Sequence, residues 1–323
     1  MSLNRRSMMA AGAGAVALSM TGESASAHSG RRLPTDAQLA RSLSGGFRSH
    51  HARVNGVRLH YVAGGHGYPL ILVSGWPQTW WSYRKVMPAL ARRFRVIAVD
   101  LRGMGGSDRP EGGYDKKTMA RDLHELARSL GHRRVNIAGH DIGSQVAFSF
   151  AANHPEATRR VAMLDSLHPG ESFYDMRLLS RPGTGFDLWW YAYNQVQGLP
   201  EKLGAGRMRY LIDWFFEHSL TDQRLVGDFD REIYARAYNE AGAIRASNGW
   251  YQSVHQDIED MASYSMLTPP LLGLSSEASH AQFTEVLPTL AADVRVTKLE
   301  NTVHYLQEEA PDEVVRALTD FFS

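Results

Sequence analysis

Short, almost wholly apolar runs alternate along this chain with longer stretches whose apolar side chains recur at helical spacing. Leu70-Ile71-Leu72-Val73 is one such run, the pattern of a strand buried on both faces of a parallel sheet. Phe94 to Asp100, Arg134 to Ala138, Arg160 to Asp165, Pro269 to Leu274 and Val294 to Leu299 read as further strands. Between them, Lys117 to Leu130 places Met119, Leu123, Leu126 and Leu130 at i, i+4, i+7 and i+11, one face of an amphipathic helix. Tyr83 to Arg92, Ser144 to Asn153 and Pro311 to Phe322 also read as helices. Val54 to Val62, turning at Asn55-Gly56, predicts a hairpin. Strands alternating with helices predict an α/β fold with a doubly wound, mostly parallel sheet.

The alternation breaks between about residues 168 and 262. This stretch is rich in Trp and Tyr, helical in period and poor in strand runs, and it reads as a helical lid inserted after the sixth strand. The chain then divides into a leader at 1–27, a polar arm at 28–50 with at most one short helix, a first core segment at 51–167, the lid at 168–262 and a second core segment at 263–323.

Composition narrows the function. The 323 residues are 43% hydrophobic and 21% charged, with a formal net charge of +1, which suits a globular enzyme. No Lys/Arg run lies beyond the N-terminus, so no nucleic-acid partner is expected. The absence of cysteine excludes disulfides, thiolate metal sites and a thiol nucleophile. Asn4-Arg5-Arg6-Ser7-Met8-Met9, the small-residue stretch Ala10 to Met20 and Ala25-Ser26-Ala27 occur in the order of a twin-arginine signal peptide. A secreted or periplasmic protein maturing at His28 is therefore expected, and no other apolar run is long enough to span a membrane.

The candidate chemistry centres on Gly139-His140-Asp141-Ile142-Gly143, between a predicted strand and a predicted helix. A tight Gly-x-x-x-Gly turn there forms an elbow that presents Asp141 at the sheet's carboxyl edge. A carboxylate attacks saturated carbon, displacing an epoxide oxygen or a halide and leaving an alkyl ester. That excludes the serine-type esterases, lipases and peptidases. His304, after the last predicted strand, is the expected base that activates water against the ester. Asp165, ending the sixth strand, is the preferred acid to orient it, with Glu277 after the seventh strand as the alternative. The N–H groups of Trp76, in Ser74-Gly75-Trp76-Pro77, and of Ile142 are the expected oxyanion hole. The Trp76–Pro77 bond is a candidate for the cis form. Tyr251 and the pair Trp189-Trp190 are the lid's candidate donors to a departing alkoxide. No His/Asp/Glu spacing suggests a metal site, and no cofactor is implied.

From about residue 50 onward the chain resembles the α/β-hydrolase epoxide hydrolase family and its relatives, the haloalkane and haloacetate dehalogenases. The resemblance rests on Gly-His-Asp-x-Gly at 139–143, Gly-x-Pro at 75–77, and Asp100-Leu101-Arg102-Gly103-x-Gly105-x-Ser107-Asp108. It also rests on Leu199-Pro200-Glu201, Ala241 to Ser253, and His304 with Glu308-Glu309-Ala310-Pro311. It implies an eight-stranded α/β-hydrolase sheet and an epoxide-activating role for Tyr251. Two departures matter. Ser279 stands where many members carry the triad acid after the seventh strand. A secreted bacterial subgroup keeps its acid after the sixth strand, and the Asp141–Asp165 spacing resembles that subgroup. Trp189 or Trp190 replaces the first lid Tyr or His, so Tyr251 is expected to be the principal acid.

Haloalkane dehalogenases usually carry Trp directly after the nucleophile, and haloacetate dehalogenases carry Arg there and three residues on; here those positions are Ile142 and Gln145. Epoxide hydrolysis is therefore expected, with dehalogenation as the alternative. Phe186, Trp189, Trp190, Tyr191, Tyr193, Trp214, Phe215, Phe216 and Trp250 suggest a large, flat or aromatic epoxide. The paired tryptophans also resemble epoxide hydrolases of actinobacterial aromatic-polyketide pathways of the kinamycin or lomaiviticin type.

Overall fold

The computed structural model describes residues 33–176 and 188–323. The leader at 1–27 with its cleavage site, the first residues of the arm and Phe186 lie outside the described residues.

The chain opens with α1 (Asp36–Ser42), capped by Thr35, whose hydroxyl accepts the Gln38 N–H. The hairpin follows as β1 (Arg48–Val54) and β2 (Val57–Gly64), turning at Asn55-Gly56 with both residues at positive φ. The sheet thus begins within the segment expected as a polar arm. The polar, solvent-facing side chains of an edge strand conceal it from a hydrophobic pattern. β3 (Tyr68–Val73), α2 (Met87–Leu90), β4 (Phe94–Val99), α3 (Lys116–Ser129), β5 (Val135–His140), α4 (Ile142–Asn153) and β6 (Thr158–Leu164) complete the first half. The helix expected over 83–92 is instead a 3-10 turn at Trp80–Tyr83 followed by the single-turn α2, whose Pro88 lies in its first turn.

Among the described residues, six α-helices intervene before the sheet resumes: α5 (Trp189–Gln195), α6 (Leu199–Gly204), α7 (Met208–Ser219), α8 (Asp228–Asn239), α9 (Ala243–Gln252) and α10 (Val254–Ser263). Then come β7 (Leu271–Ser275), α11 (His280–Leu290), β8 (Val294–Lys298), α12 (Leu306–Glu309) and α13 (Pro311–Phe322). The sheet order is β1-β2-β4-β3-β5-β6-β7-β8. β2 pairs antiparallel with β1 and β4, and the remaining pairs are parallel. β5 is buried at every position and lies between β3 and β6, so its small and apolar residues and even the polar Asn136 and His140 are shut away from solvent. Its carboxyl end sits deep in the molecule, and the insertion between β6 and β7 covers that edge. No helix among the described residues is long and apolar enough to cross a membrane.

Candidate active site

Asp141 stands where β5 ends and α4 begins, with φ 55° and ψ −124°. Such a backbone costs roughly 1–3 kcal/mol and must be held by its surroundings. Packing holds it here. A Cβ on Gly139 would strike the carbonyl of Gly143, and one on Gly143 would strike the carbonyl of Val73. The two glycines let the turn press onto itself and onto β3, which lifts Asp141 out of the sheet. Its Oδ1 accepts the N–H of Trp76 at 2.9 Å, and the N–H of Ile142 also bonds the carboxylate. The Trp76–Pro77 peptide is cis.

His304, on the loop after β8, faces two carboxylates. Its Nε2 lies 3.6 Å from Asp141 Oδ2, and its Nδ1–H donates to Asp165 Oδ2 at 2.9 Å. Asp165 follows β6 at φ 52°, and its Oδ1 accepts the Ser276 N–H at 2.7 Å and the Ser279 hydroxyl. Ser279, at the position where the resembled family carries its acid, supports the acid at 165 instead. Glu277, the alternative acid, is 67% exposed and pairs with Lys298 at 3.3 Å, so it is not the residue that meets His304.

The charges reinforce one another. Burial alone would push the His304 imidazole down, but Asp141 and Asp165 more than offset it and raise the ring to about 10. In the free protein at neutral pH it is an imidazolium. Burial would push the Asp141 carboxyl up, yet the His304 cation and the Ile142 N–H hold it below its ordinary value. One residue that sequence reasoning passed over lies behind them. Burial, with the nearby His304 charge, pushes His140 down to about 4, so it is neutral. Its Nε2–H donates to the His304 carbonyl at 2.8 Å, and its Nδ1 accepts from the Gln307 amide at 3.3 Å. The only signal for it was its place inside the Gly-His-Asp motif.

A cavity of about 480 Å³ opens above this group, between the sheet's carboxyl edge and the insertion. Trp76, Trp190, Tyr191, Phe215, Tyr251 and Tyr305 form its aromatic walls. Tyr251 is buried and meets Tyr191 edge-on at 5.1 Å and Trp76 edge-on at 5.8 Å. Burial, then the Asp141 charge, raises both the Tyr251 and Tyr191 phenols, which keeps them protonated donors. Trp189 does not line this cavity. It packs edge-on against Trp214 at 5.1 Å and lies over Phe215 at 5.9 Å. The expected pair is thereby reduced to Trp190, because adjacent helical residues point about 100° apart.

No Lys or Arg lines the cavity among the described residues, and its charged groups are Asp141, Asp165 and His304. Gln145, where a haloacetate enzyme carries Arg, spends its amide on Ser166 Oγ at 3.2 Å. Beyond the far end of α4, the fold brings His124 of α3, His154 and Glu156 together, with their ligand atoms within 4.8 Å of one another, a grouping the sequence spacing did not show. The two imidazoles stack at 4.0 Å and 14°, so their lone pairs run side by side rather than toward one point. None of the three lines the cavity.

Residues 68–253 match the α/β hydrolase fold family. A soluble epoxide hydrolase from Corynebacterium sp. is 33% identical over 85% of this chain and 96% of its own length. A fluoroacetate dehalogenase from Burkholderia sp. is 30% identical over 86% of this chain and 94% of its own. Among solved structures, Cfl2 from Burkholderia cenocepacia is 34% identical, with a TM-score of 0.81, over 90% of this chain and 99% of that one.

Proposed function

The chain belongs to the α/β-hydrolase fold family, among its epoxide hydrolases, and on that premise we propose that it converts a bulky, uncharged, aromatic epoxide to a vicinal diol through an ester on Asp141. One observation carries the reading. An ionised carboxylate with two N–H groups behind it faces an imidazolium on one side and a lid phenol above, in a cavity that no Lys or Arg lines among the described residues.

Asp141 Oδ2 attacks an epoxide carbon, and the C–O bond to the ring oxygen breaks. Tyr251 gives its phenolic proton to the departing alkoxide, while Trp190 helps hold that oxygen. Asp141 is now a neutral ester, and one of the two charges that held the His304 proton has gone. The imidazolium therefore yields its proton, which makes good the one Tyr251 gave. Neutral His304 then takes a proton from water, and the hydroxide attacks Asp141 Cγ. Charge develops on Oδ1, which the Trp76 N–H already addresses, and the Ile142 N–H bonds the same carboxylate. Collapse releases the diol and restores carboxylate and imidazolium, so protons balance over the cycle.

A single turnover in oxygen-18 water tests this order of events. The label should enter the Asp141 carboxylate and be absent from the first diol released. Label in that diol would mean direct attack of water on the epoxide.

Dehalogenation by the same carboxylate is the second reading. It is favoured by the fluoroacetate dehalogenase relative and by an indole and a phenol placed together in the cavity. The absence of Lys and Arg from the cavity lining among the described residues weighs against small haloacids.

We also propose export by the twin-arginine route, supported by the order of charge, apolar stretch and Ala25-Ser26-Ala27. N-terminal sequencing of the exported protein should begin at His28, and a retained Met1 would refute it.

A further inference from the structure

Two glutamates follow the catalytic histidine loop, and the reaction scheme uses neither. Glu309 lies at the end of α12. Its Oε1 accepts the N–H of Val303 at 3.1 Å and that of His304 at 3.0 Å. Its Oε2 accepts the Val303 N–H at 3.1 Å and, from the chain after α7, the Thr221 N–H at 3.1 Å. One carboxylate therefore binds the loop that carries His304 and also the lid. His140 holds the other end of the same residue, at the His304 carbonyl. The backbone of His304 is thus fixed on both sides by side chains, one of which reaches the lid.

Its neighbour strengthens the junction. Glu308 is fully buried and accepts the Tyr234 hydroxyl of α8 at 3.1 Å. It pairs with Arg84 and Lys85 of the core, and Arg84 reaches on to Asp230 of α8 at 2.6 Å. α12 accordingly joins α8 and the chain after α7 to the loop that carries the histidine. Hydrogen bonds from backbone N–H to a carboxylate are among the stronger neutral-to-charged bonds. An error of about 1 Å in placing a catalytic group can cost about 10²-fold in rate.

We propose that Glu309 is a positioning residue for hydrolysis of the covalent ester: its carboxylate holds the N–H groups of Val303, His304 and the lid's Thr221, so that the base reaches its working place only with the lid seated. The inference rests on the ester reading above, in which His304 acts in the second half-reaction and not in the first. Loss of Glu309 should therefore slow ester hydrolysis selectively. A general loosening of the fold would slow both halves.

The two roles separate in two variants. Glu309→Ala removes every bond. Glu309→Gln keeps an oxygen for Val303 and His304 but turns an amide NH2 toward the Thr221 N–H, where two donors cannot bond. The experiment is rapid mixing of each full-length variant with styrene oxide, quenching, and intact mass to follow the ester, with His304→Gln as reference. Thermal unfolding checks that each variant folds, and Glu309→Gln carries the test if Glu309→Ala does not.

Glu309→Ala should accumulate ester, with hydrolysis slowed about tenfold or more and ester formation changed less than about threefold. Glu309→Gln should lie between it and the parent enzyme. Equal slowing of both steps, or hydrolysis at the parent rate in Glu309→Ala, would overturn the positioning role. A Glu309→Gln indistinguishable from the parent would overturn the link to the lid. If His304→Gln forms ester while Glu309→Ala behaves as the parent, only this inference fails. If His304→Gln forms none, the ester reading fails and takes this inference with it.

Discussion

Beneath the cavity, Asp141, Asp165 and His304 stand at or just beyond the ends of β5, β6 and β8, whereas above it Trp190, Tyr191 and Tyr251 are carried by α5 and α9. The lower group is set by backbone. Two of its members sit at positive φ, and hydrogen bonds from main-chain N–H groups fix the carboxylates. The upper group is set by ring packing and by a few polar anchors to the core. Lys116, fully buried, pairs with Asp257 at 2.7 Å and bonds the Trp250 carbonyl at 2.5 Å, while the Trp250 indole donates to the Arg102 carbonyl at 3.1 Å. These anchors hold Tyr251, the next residue, over Asp141. A strand end tolerates almost no displacement, whereas packed rings can shift and refill. Changes below the cavity should therefore abolish a step of chemistry, and changes above it should grade a rate.

The sharpest contrast lies below the cavity. Asp165→Asn should lower turnover by about 10³–10⁴-fold through loss of imidazolium stabilisation and of the right His304 tautomer. Glu277→Gln, on the surface, should stay within about twofold of the parent, the size of effect expected where no mechanism is touched. Steady-state turnover of an aryl epoxide reads both, and a reversal of the two would return the acid to 277. In the lid, Tyr251→Phe should slow ester formation by about 10²-fold, far more than ester hydrolysis. Trp190→Phe should have a smaller effect on the same step, and Trp189→Phe should change stability but not rate. Pre-steady-state ester formation separates these outcomes. A Trp189 effect exceeding that of Trp190 would contradict the orientation of α5.

Much of the lower group was legible because its geometry is written in motif and order. Gly139 and Gly143 are required by backbone contact, and a histidine after the last strand is carried to the same edge as the elbow. Asp165 against Glu277 was harder, since both follow strands; what separates them is contact, for Asp165 accepts from Ser276, Ser279 and His304, whereas Glu277 pairs with Lys298 on the surface. The upper group was legible only as a class of residue. Trp189, Trp190 and Tyr191 offer similar chemistry at consecutive positions, and which one faces the cavity depends on the rotation of a seven-residue helix. Most of β1 was missed for a related reason: only its end at Val54 lay within the expected hairpin, because its exposed Arg and His side chains carry no strand period.

A gentler effect links the two regions through buried neutral histidines, one below the cavity and one at the start of the insertion. Burial, aided by the His304 charge, holds His140 down at about 4, and burial holds His168 down at about 3. Unfolded, each would titrate near 6.5. The unfolded chain binds more protons below that value, so this stabilisation is complete above pH 6.5. It is lost as the pH falls toward 4 and below, by on the order of 3 kcal/mol for His140. His304 has the opposite sign. Its contribution is complete below about 6.5 and is lost as the pH rises through about 10, so it does not mask the acid side. Denaturant midpoints should fall between pH 6.5 and 4, and the fall should be shallower in His168→Phe. A flat profile would contradict the neutral assignment.

On the proposed mechanism a carboxylate below the cavity opens an epoxide held from above. Intact mass of His304→Gln, after exposure to an aryl epoxide and separately to a haloacid, tests it most directly. The expected result is a gain equal to the whole epoxide, because no atom leaves, located on Asp141 and abolished by a further Asp141→Asn change. A gain equal to the haloacid less hydrogen halide, with no epoxide adduct, would contradict it and make the protein a dehalogenase.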